Sequence, residues 1–368
     1  MPIRATKRGL ERTPIDLDAD VLVCGASFAG LALARELKGS GAHVLVVDRY
    51  EIGERQTSAC GIPTGWLEAL DLMSAHQQTF PELVIHSPHS TARFPLPWSF
   101  STFDYRALCG RLADQGDITF EVATVQGRTP DGVRTDRGEI RAPVVVDALG
   151  WRRVLSAGPP IQPPDAYLSR GLEVHPDGSG DALEIWIDRD IIPAGYGWSF
   201  PADGEVRVGV GSFVPRDHVK APTVALAREL GRPAEQYQGN WIPHRIREAT
   251  EDGTFFVGDS AGHCLPLTAE GIRTALYFGL AAGREIRRVL DGRQSHAAAL
   301  AGYGAFSAAH AWKFHWLLRL QTLVPRLPPR LLTPTLALTS RRHVTHWSFT
   351  RYLEIAHPRF VAAGVTSR

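Results

Sequence analysis

The chain has few cysteines and few lysines, and neither sign of charge is in excess. Its four cysteines form no Cys-x-x-Cys pair and no metal-ligand spacing; they are Cys24, Cys60, Cys109 and Cys264. We therefore expect no disulfide framework and no metal site. Forty basic residues, of which four are lysines, balance 39 acidic ones for a net charge of +1. Because nucleic acid binds basic surfaces, it is not an expected partner.

Long apolar runs are also absent. No uninterrupted apolar run reaches the roughly 18 residues that span a bilayer. The first 17 residues are polar and basic and lack the apolar core of a signal peptide. We therefore expect a cytoplasmic protein that is soluble or peripheral at the membrane, with a flexible N-terminal segment over residues 1–18.

Near its N-terminus the sequence contains a strand, a glycine-rich turn and a helix. An apolar run ends at residue 24, the turn reads Gly-Ala-Ser-Phe-Ala-Gly over residues 25–30, and a second apolar strand ends in Asp48. This order is typical of a β-α-β unit that binds a dinucleotide, with pyrophosphate at the helix N-terminus and the acid on the ribose. Ser27 stands at the second glycine position, where its hydroxyl can donate to phosphate. The alternative is an ordinary α/β turn in which glycine only relieves crowding.

Apolar alternation and turn signals divide the rest of the chain. A further parallel strand is expected at 144–148, Asp104 is a good N-cap for a helix, and closely spaced strands over 169–211 indicate a largely antiparallel sheet. The expected fold is α/β, with a Rossmann-like nucleotide-binding domain, an inserted antiparallel substrate domain and a C-terminal helical region. The nucleotide-binding domain is expected over residues 19–154 and 251–292, the substrate domain over 155–250, and the C-terminal helical region over 293–368.

The C-terminal region has an unusual charge pattern. No acidic residue lies between Asp291 and Glu354, whereas eight basic residues do, together with tryptophans and several leucines. Such a segment could lie on an anionic membrane surface and admit a lipid. The alternative is a set of helices packed on the domain with arginines facing water.

Two later segments carry motifs. Residues 258–272 read Gly-Asp-Ser-Ala-Gly-His-Cys-Leu-Pro-Leu-Thr-Ala-Glu-Gly-Ile, and residues 196–201 read Tyr-Gly-Trp-Ser-Phe-Pro, followed by Gly-Val-Gly at 209–211. Alternate residues of a strand share one face, which groups the three aromatic residues of the second segment. Together with the turn at 25–30, these motifs resemble flavoproteins of the glutathione-reductase-like and aromatic-hydroxylase superfamily, and most of all the geranylgeranyl reductase family.

The resemblance implies FAD as the cofactor. The residues that would contact it are Gly25, Ser27, Phe28, Ala29, Gly30, Asp48, Arg49, Cys60, Gly61, Arg106, Gly150, Gly258, Asp259, Pro266, Gly271 and Ile272. In that family the equivalent of Asp259 contacts the ribityl chain, and the helix that follows Gly271 points its N-terminus at the isoalloxazine. Arg49 could stack on the adenine.

The same resemblance implies a substrate cavity beside the flavin. Its lining would be Tyr196, Trp198, Phe200 and His263, and the catalytic candidates are Cys60, Tyr196 and Trp198. The Cys60 thiol could supply the proton that completes alkene reduction. The alternatives are an aromatic stripe that faces the core, a packed His263 and an inert buried Cys60.

Two positions depart from the family's motifs. Ala269 replaces a glycine, and Leu149 replaces the acid of an Ala-Asp-Gly motif that meets FAD and transient NAD(P)H; Asp147 lies two residues earlier. No second glycine fingerprint is present, so NAD(P)H would bind transiently or another donor would reduce the flavin.

The predicted function is FAD-dependent reduction of C=C bonds in a prenyl or other apolar substrate. The main alternative is an FAD monooxygenase that hydroxylates an aromatic or polyketide-like substrate. Aromatic hydroxylases of the superfamily usually have histidine where this chain has Gly262. A flavin halogenase, the lesser alternative, would require a lysine near the cavity, and residues 39–219 contain none.

Overall fold

The computed structural model describes residues 13–15, 17–56, 58–159, 161, 163 and 168–363. Most of the N-terminal segment expected over 1–18 lies outside the described residues. The described strands are β1 (Leu17–Asp18), β2 (Val21–Cys24), β3 (Val44–Asp48), β4 (Gly61–Pro63), β5 (His76–Ser87), β6 (Ser90–Phe103), β7 (Ile118–Val122), β8 (Val125–Thr129), β9 (Gly132–Thr135), β10 (Gly138–Arg141), β11 (Val144–Asp147), β12 (Leu168–Val174), β13 (Leu183–Trp186), β14 (Gly195–Ala202), β15 (Glu205–Ser212), β16 (Gln238–Pro243), β17 (Thr250–Glu251) and β18 (Thr254–Phe256). The described α-helices are α1 (Phe28–Glu36), α2 (Thr64–Ala69), α3 (Tyr105–Asp114), α4 (Lys220–Glu229), α5 (Ile272–Leu290), α6 (His296–Leu323), α7 (Pro329–Thr339), α8 (Arg342–Leu353) and α9 (Arg359–Ala363).

The centre of the fold is a six-stranded sheet in the order β17-β18-β11-β2-β3-β7. All its pairs are parallel except β17 with β18. The β2 and β11 strands read as continuous apolar runs because the sheet is covered on both faces. The segment β2-α1-β3 is the predicted β-α-β unit, and β11 is the predicted further parallel strand. Both predictions are confirmed.

A second sheet has eight strands in the order β16-β12-β15-β14-β13-β5-β6-β4. It is antiparallel apart from the pair of β13 with β5. The predicted largely antiparallel sheet is therefore present, but it is not confined to residues 155–250. The long hairpin of β5 and β6, together with β4, adds residues 61–103, because β13 pairs with a strand about a hundred residues earlier in the chain.

The remaining elements frame these two sheets. A small four-stranded sheet, β1-β10-β9-β8, packs beside the parallel one. Asp104 caps α3 as predicted, since its carboxylate accepts the Ala107 N–H at 2.6 Å. The C-terminal region is helical, and α7 packs Leu332 and Leu336 against the β5–β6 hairpin. In the part of the chain that the structure describes, no helix is both long enough and apolar enough to cross a bilayer. The predicted fold class is confirmed.

Helices α1 and α5 approach each other closely through glycine. A Cβ on Gly279 would lie 2.4 Å from the Ala29 carbonyl oxygen, and one on Gly283 would lie 2.7 Å from that of Leu33. Both distances are shorter than van der Waals contact, so the backbones meet without intervening side chains. This contact holds the start of α1, in the glycine-rich turn of residues 25–30 (the first motif), next to the motif of residues 258–272 (the second motif).

A matched pair of glycine variants tests this contact. We expect Gly279→Ala to lower the free energy of unfolding by about 1–3 kcal/mol, because the added methyl overpacks the helix interface. Gly110 lies inside α3 with no atom within 4 Å of the position of a Cβ. Gly110→Ala should therefore raise the free energy of unfolding by about 0.5–1 kcal/mol through helix propensity alone. Urea unfolding measures both values, and equal effects of the two variants would contradict the close approach.

Candidate functional site

The glycine-rich turn passes too close to β11 for side chains. Gly25 has φ +115°, and its Cβ would lie 2.2 Å from the Ala148 carbonyl oxygen. A Cβ on Gly30 would lie 2.1 Å from the Gly25 carbonyl oxygen. The first N–H groups of α1, from Phe28 and Ala29 onward, have no acceptor within the helix and are available to an anion.

Ser27 and Asp48 flank this helix start. The Ser27 side chain does not cap α1; its hydroxyl lies 3.1 Å from that of Tyr105. Half-buried Asp48 accepts the N–H groups of Ala26 at 2.9 Å and Tyr50 at 3.1 Å, which fixes its carboxylate at the end of β3. Burial raises the pKa of this carboxyl. Its contact with the ribose of a dinucleotide stays a prediction.

Two arginines were predicted to contact the cofactor, and both are exposed. The Arg49 guanidinium lies 4.9 Å from the centroid of the Tyr50 ring. Arg106 lies in the first turn of α3, where its backbone contacts Gly53: a Cβ on that glycine would lie 2.7 Å from the Arg106 Cα. Their contacts with a cofactor stay predictions.

The second motif meets the first at Gly258. This residue has φ +62°, and its Cβ would lie 2.9 Å from the Ala29 Cβ. Asp259 follows, and its Oδ1 lies 3.8 Å from the position of a Cβ on Gly271, at the start of α5. Burial raises the Asp259 pKa to about 6, against the lowering effect of Arg247. None of the described residues donates a hydrogen bond to this carboxylate.

These features fit a long dinucleotide. The free N–H groups at the start of α1 suit a pyrophosphate, and Asp259 is a half-buried acceptor to which no described residue donates. Gly150, with φ +84°, has no atom within 4 Å of the position of a Cβ. Among the described residues no group of three or more His, Cys, Asp or Glu side chains could hold a metal ion.

Asp147 does not take the place of the missing motif acid. It is buried and accepts hydrogen bonds from the Leu149 N–H at 2.9 Å, the Leu155 N–H at 2.8 Å and the Ser260 hydroxyl at 2.6 Å. Burial raises its pKa. All three donors come from the protein, so Asp147 joins the end of β11 to the second motif.

Gly262 and His263 can now be interpreted. Gly262 has φ +67°, and a Cβ would lie 1.9 Å from the Arg245 carbonyl oxygen, so no side chain fits there. The His263 ring is fully buried, stacks on Phe278 at 3.7 Å between centroids, and its Nε2 lies 2.9 Å from the Ser307 hydroxyl. Burial lowers its pKa. His263 therefore packs between α5 and α6, in line with the packed alternative, and a role in lining the cavity stays a prediction.

The β14 strand presents an aromatic face. Tyr196, Trp198 and Phe200 are half-buried, while the alternate residues are buried on the opposite face. A Cβ on Gly209 would lie 2.2 Å from the Trp198 ring, which explains the Gly-x-Gly of β15: the indole lies flat on it. The Tyr196 hydroxyl donates to the Thr268 carbonyl at 2.7 Å. We call these three residues the aromatic wall.

The far end of the aromatic wall reaches Cys60 and Gly61. The Phe200 ring lies 3.9 Å from the position of a Cβ on Gly61. Cys60 is 0% exposed, has φ +54°, and donates its thiol to the Ser58 carbonyl at 3.2 Å. Burial raises its pKa. The thiol thus stays protonated at neutral pH but does not open onto the cleft in this conformation, so its catalytic role stays a prediction.

Residues 264–271, which include buried Pro266, form a loop that we call the flavin-motif loop. It is held from two sides. Apart from the Tyr196 bond, the side-chain amide oxygen of Gln321 in α6 accepts the Leu267 N–H at 2.8 Å, and the Tyr352 hydroxyl of α8 lies 2.8 Å from the Thr268 hydroxyl. Ala269, at a glycine position of the family motif, has φ +51°. No local signal in the sequence indicated these contacts with the C-terminal helices.

Comparison with known proteins agrees with this geometry. Residues 18–90 match a family model described as an FAD binding domain. The digeranylgeranylglycerophospholipid reductase 3 of Methanosphaera stadtmanae is 24% identical over 334 residues, covering 80% of this chain and 84% of that protein. A geranylgeranyl bacteriochlorophyll reductase-like structure from Thermoplasma acidophilum has a TM-score of 0.80 at 18% identity and covers 95% of this chain and 99% of its own. A probable FAD-dependent monooxygenase from Pseudomonas aeruginosa has a TM-score of 0.66 at 18% identity, with coverage of 86% and 99%.

Replacing Asp259 is expected to weaken FAD binding but to raise the free energy of unfolding of the flavin-free protein. Asp259→Asn should weaken FAD binding about tenfold or more, because a charged acceptor is lost. At pH near 8 the flavin-free variant should be about 1 kcal/mol more stable than the wild type, because the wild type then holds an ionised, half-buried carboxylate without a hydrogen-bond donor. Because the Asp259 pKa is raised to about 6, the carboxyl takes up its proton as the pH falls through this value and the stability lost by the wild type is regained. The free energies of unfolding of the wild type and the variant should therefore become equal near pH 4. Flavin titration and urea unfolding at both pH values measure these effects; unchanged FAD affinity would contradict the assignment.

The site thus rests on two motifs that are far apart in sequence and adjacent in space. The matched family model covers the first motif, and similarity to the reductases extends over most of the chain. These findings identify the chain as an FAD-dependent oxidoreductase that resembles the geranylgeranyl reductase family.

Proposed function

We propose that this flavoprotein reduces C=C bonds of a prenyl or similarly apolar substrate. The aromatic wall carries the proposal, because it joins the flavin-motif loop at Thr268 to the turn at Gly61. An isoprenoid needs apolar surface more than hydrogen bonds, and three half-buried aromatic rings on one strand offer it. The name of the Methanosphaera relative, a reductase of a prenylated lipid, supports the same substrate class.

Individual residues would have distinct roles. When bound, FAD supplies the hydride for such a reduction. The N-terminus of α5 favours the negative charge that accompanies it. Tyr196 keeps its proton, since burial raises its pKa and its hydroxyl donates to Thr268. Cys60 holds a proton at its Sγ, and we propose it as the donor to the second carbon once the turn that carries it opens.

We propose NAD(P)H as a transient reductant of the flavin. The Asp147 carboxylate is already engaged with Ser260 and two backbone N–H groups, so it offers no free acid for a resident nicotinamide nucleotide. A donor that binds only during reduction fits this arrangement. A protein electron donor would be the other outcome of the test below.

Hydroxylation and halogenation are less well supported. Position 262 has no room for the histidine of the hydroxylases. Of the described lysines, Lys220 lies over Tyr237 and Lys313 over Trp312, while Lys38 follows α1, and none of them contacts the aromatic wall. A halogenase would require a lysine at the cavity.

Anaerobic turnover tests the proposed reaction. We expect NADPH, NADH or dithionite to bleach the bound flavin, and geranylgeraniol to restore its absorbance without O₂ while losing a C=C bond. Mass spectrometry of the product, with a gain of two hydrogens per bond, measures the reaction. Product that forms only with O₂ and contains oxygen would replace this proposal by a monooxygenase.

The Cys60→Ala variant separates hydride transfer from protonation in the same assay. We expect normal FAD content and flavin bleaching, with reoxidation by the alkene slowed about 10²-fold or more, the usual effect of losing a positioned acid. Cys264→Ala is the control, since this second buried thiol lies in the flavin-motif loop. Equal rates for the two variants would remove Cys60 from the mechanism.

We further propose that α6–α8 contact an anionic membrane. Trp312, Trp316 and Trp347 are 66%, 56% and 59% exposed. Helix α7 is apolar on two faces, because Leu332 and Leu336 are buried against the hairpin whereas Leu331 and Leu338 are exposed. A soluble surface rarely collects such residues without a partner.

The positive charge of helices α6–α8 favours an anionic lipid surface as the partner. A surface concavity of about 500 Å³ on α8 is lined by Arg342, His343, His346, Trp347, Thr350 and Arg351. No acidic residue lies between Asp291 and Glu354. Basic side chains beside exposed tryptophan favour anionic headgroups over neutral ones. Because Gln321 of α6 and Tyr352 of α8 contact the flavin-motif loop, lipid bound here would lie close to the site.

Liposome co-sedimentation tests the membrane contact. We expect binding to vesicles of equal parts phosphatidylserine and phosphatidylcholine, weak binding to phosphatidylcholine alone, and loss of binding at high salt. Trp316→Glu should weaken binding about tenfold or more, because it places a charge on the apolar face. Tyr237→Glu is the control, as Tyr237 is exposed outside α6–α8. If neither high salt nor Trp316→Glu weakens binding to the anionic vesicles, the proposal is refuted.

A further inference from the structure

A group of four charged side chains lies on the same sheet face as the aromatic wall, on β15 and at the end of β12. We call it the ion quartet; its members are Glu173, His175, Glu205 and Arg207. All but Glu205 are buried, and Arg207 is 1% exposed. Burying charges in a protein interior costs more than burying apolar side chains of similar volume. Such a cluster beside an apolar cavity therefore calls for a role beyond stability.

The quartet is a continuous chain of contacts. One Glu173 carboxylate oxygen lies 2.9 Å from His175 Nε2, His175 Nδ1 lies 3.6 Å from Glu205, and Glu205 accepts from Arg207 Nε at 2.8 Å. Two carboxylates and two cations leave no net charge. These partners raise the His175 pKa to about 9, despite the opposing effect of burial, so that it is charged at neutral pH.

The two ends of the quartet reach opposite parts of the proposed site. At one end, Glu173 Oε2 accepts the indole N–H of Trp198 at 3.1 Å. At the other end, Arg207 donates to the carbonyl of Ala59, next to Cys60, at 2.9 Å and to that of Phe103 at 3.2 Å. The guanidinium thus holds the turn in which Cys60 adopts φ +54°, a conformation that a non-glycine residue does not favour.

We infer that the ion quartet consists of positioning residues, which hold Trp198 and the Cys60 turn in one fixed relative geometry. The indole bond sets which edge of Trp198 faces the substrate, and the Arg207 bonds keep the turn closed over the thiol. Removal of one member leaves its partner buried and unpaired, so a change at one end loosens the other. The part of this inference that concerns turnover rests on the proposed alkene reduction.

The first arm of the test does not depend on turnover. The test measures how fast a thiol reagent labels each cysteine of the holoenzyme, with peptide mass spectrometry as the readout. The proteins compared are the wild type, Glu173→Met, Glu173→Gln and Arg207→Lys. Arg207→Lys keeps the charge but loses the planar guanidinium, which donates from Nη1 to both carbonyls, from Nε to Glu205 and from Nη2 to Gln77. We expect labelling of Cys60 to accelerate about tenfold or more in Glu173→Met and Arg207→Lys, and less in Glu173→Gln, which retains an acceptor for the indole.

Cys24, buried in β2 of the parallel sheet, is the internal control. General destabilisation would expose Cys24 and Cys60 alike, whereas a loosened turn exposes Cys60 alone. Equal acceleration at both thiols, or no change at Cys60 in Arg207→Lys, would overturn the inference.

The second arm uses reoxidation of the reduced flavin by geranylgeraniol in a single turnover. We expect Trp198→Phe, which removes only the indole donor edge, and Glu173→Met each to slow this step about 10- to 100-fold, as expected for small misplacements. The loss in the double variant should be smaller than the product of the two single losses, because both changes break the same contact between Glu173 and Trp198. Additive losses would contradict the inference. If the wild type reduces no prenyl probe, the proposed function fails, and the labelling arm still decides the role of the quartet.

Discussion

The site depends on one constraint, the close approach of two backbones that are about 250 residues apart in the chain. The start of α1 can meet the start of the second motif only because Gly258 and Gly279 lack side chains where they contact Ala29. The same geometry leaves Asp259 beside the N-terminus of α5 without a hydrogen-bond donor. Every feature assigned to the cofactor, from the free N–H groups of α1 to this carboxylate, follows from that contact.

The aromatic wall is then placed by a second set of small residues. Trp198 can lie flat on β15 only because position 209 is glycine, and the Tyr196 hydroxyl joins the wall to Thr268. Tyr352 and Gln321 hold the same loop from the side of the C-terminal helices. The loop therefore receives contacts from the parallel-sheet domain, the eight-stranded sheet and the C-terminal region at once. A disturbance in any of the three is expected to reach the flavin site.

Local features were predictable from the sequence, and long-range pairings were not. The β-α-β unit, the Asp104 cap and the alternation along β14 are each encoded within a few residues, and the structure contains them. The parallel pairing of β13 with β5 carries no local signal, because strand register is set by partners elsewhere in the chain. For the same reason the sequence could not show that Asp147 accepts from Ser260, that His263 packs on Phe278, or that four charged residues lie beside Trp198.

Position 262 has a consequence for protein engineering. Because its Cβ would lie 1.9 Å from the Arg245 carbonyl oxygen, the backbone of the neighbouring segment excludes any side chain, and φ +67° disfavours one as well. Grafting a hydroxylase histidine at this point would require the loop at Arg245 to be rebuilt at the same time. A single substitution there would clash with this carbonyl, so any residue other than glycine at position 262 needs a second, coordinated change in the segment around Arg245.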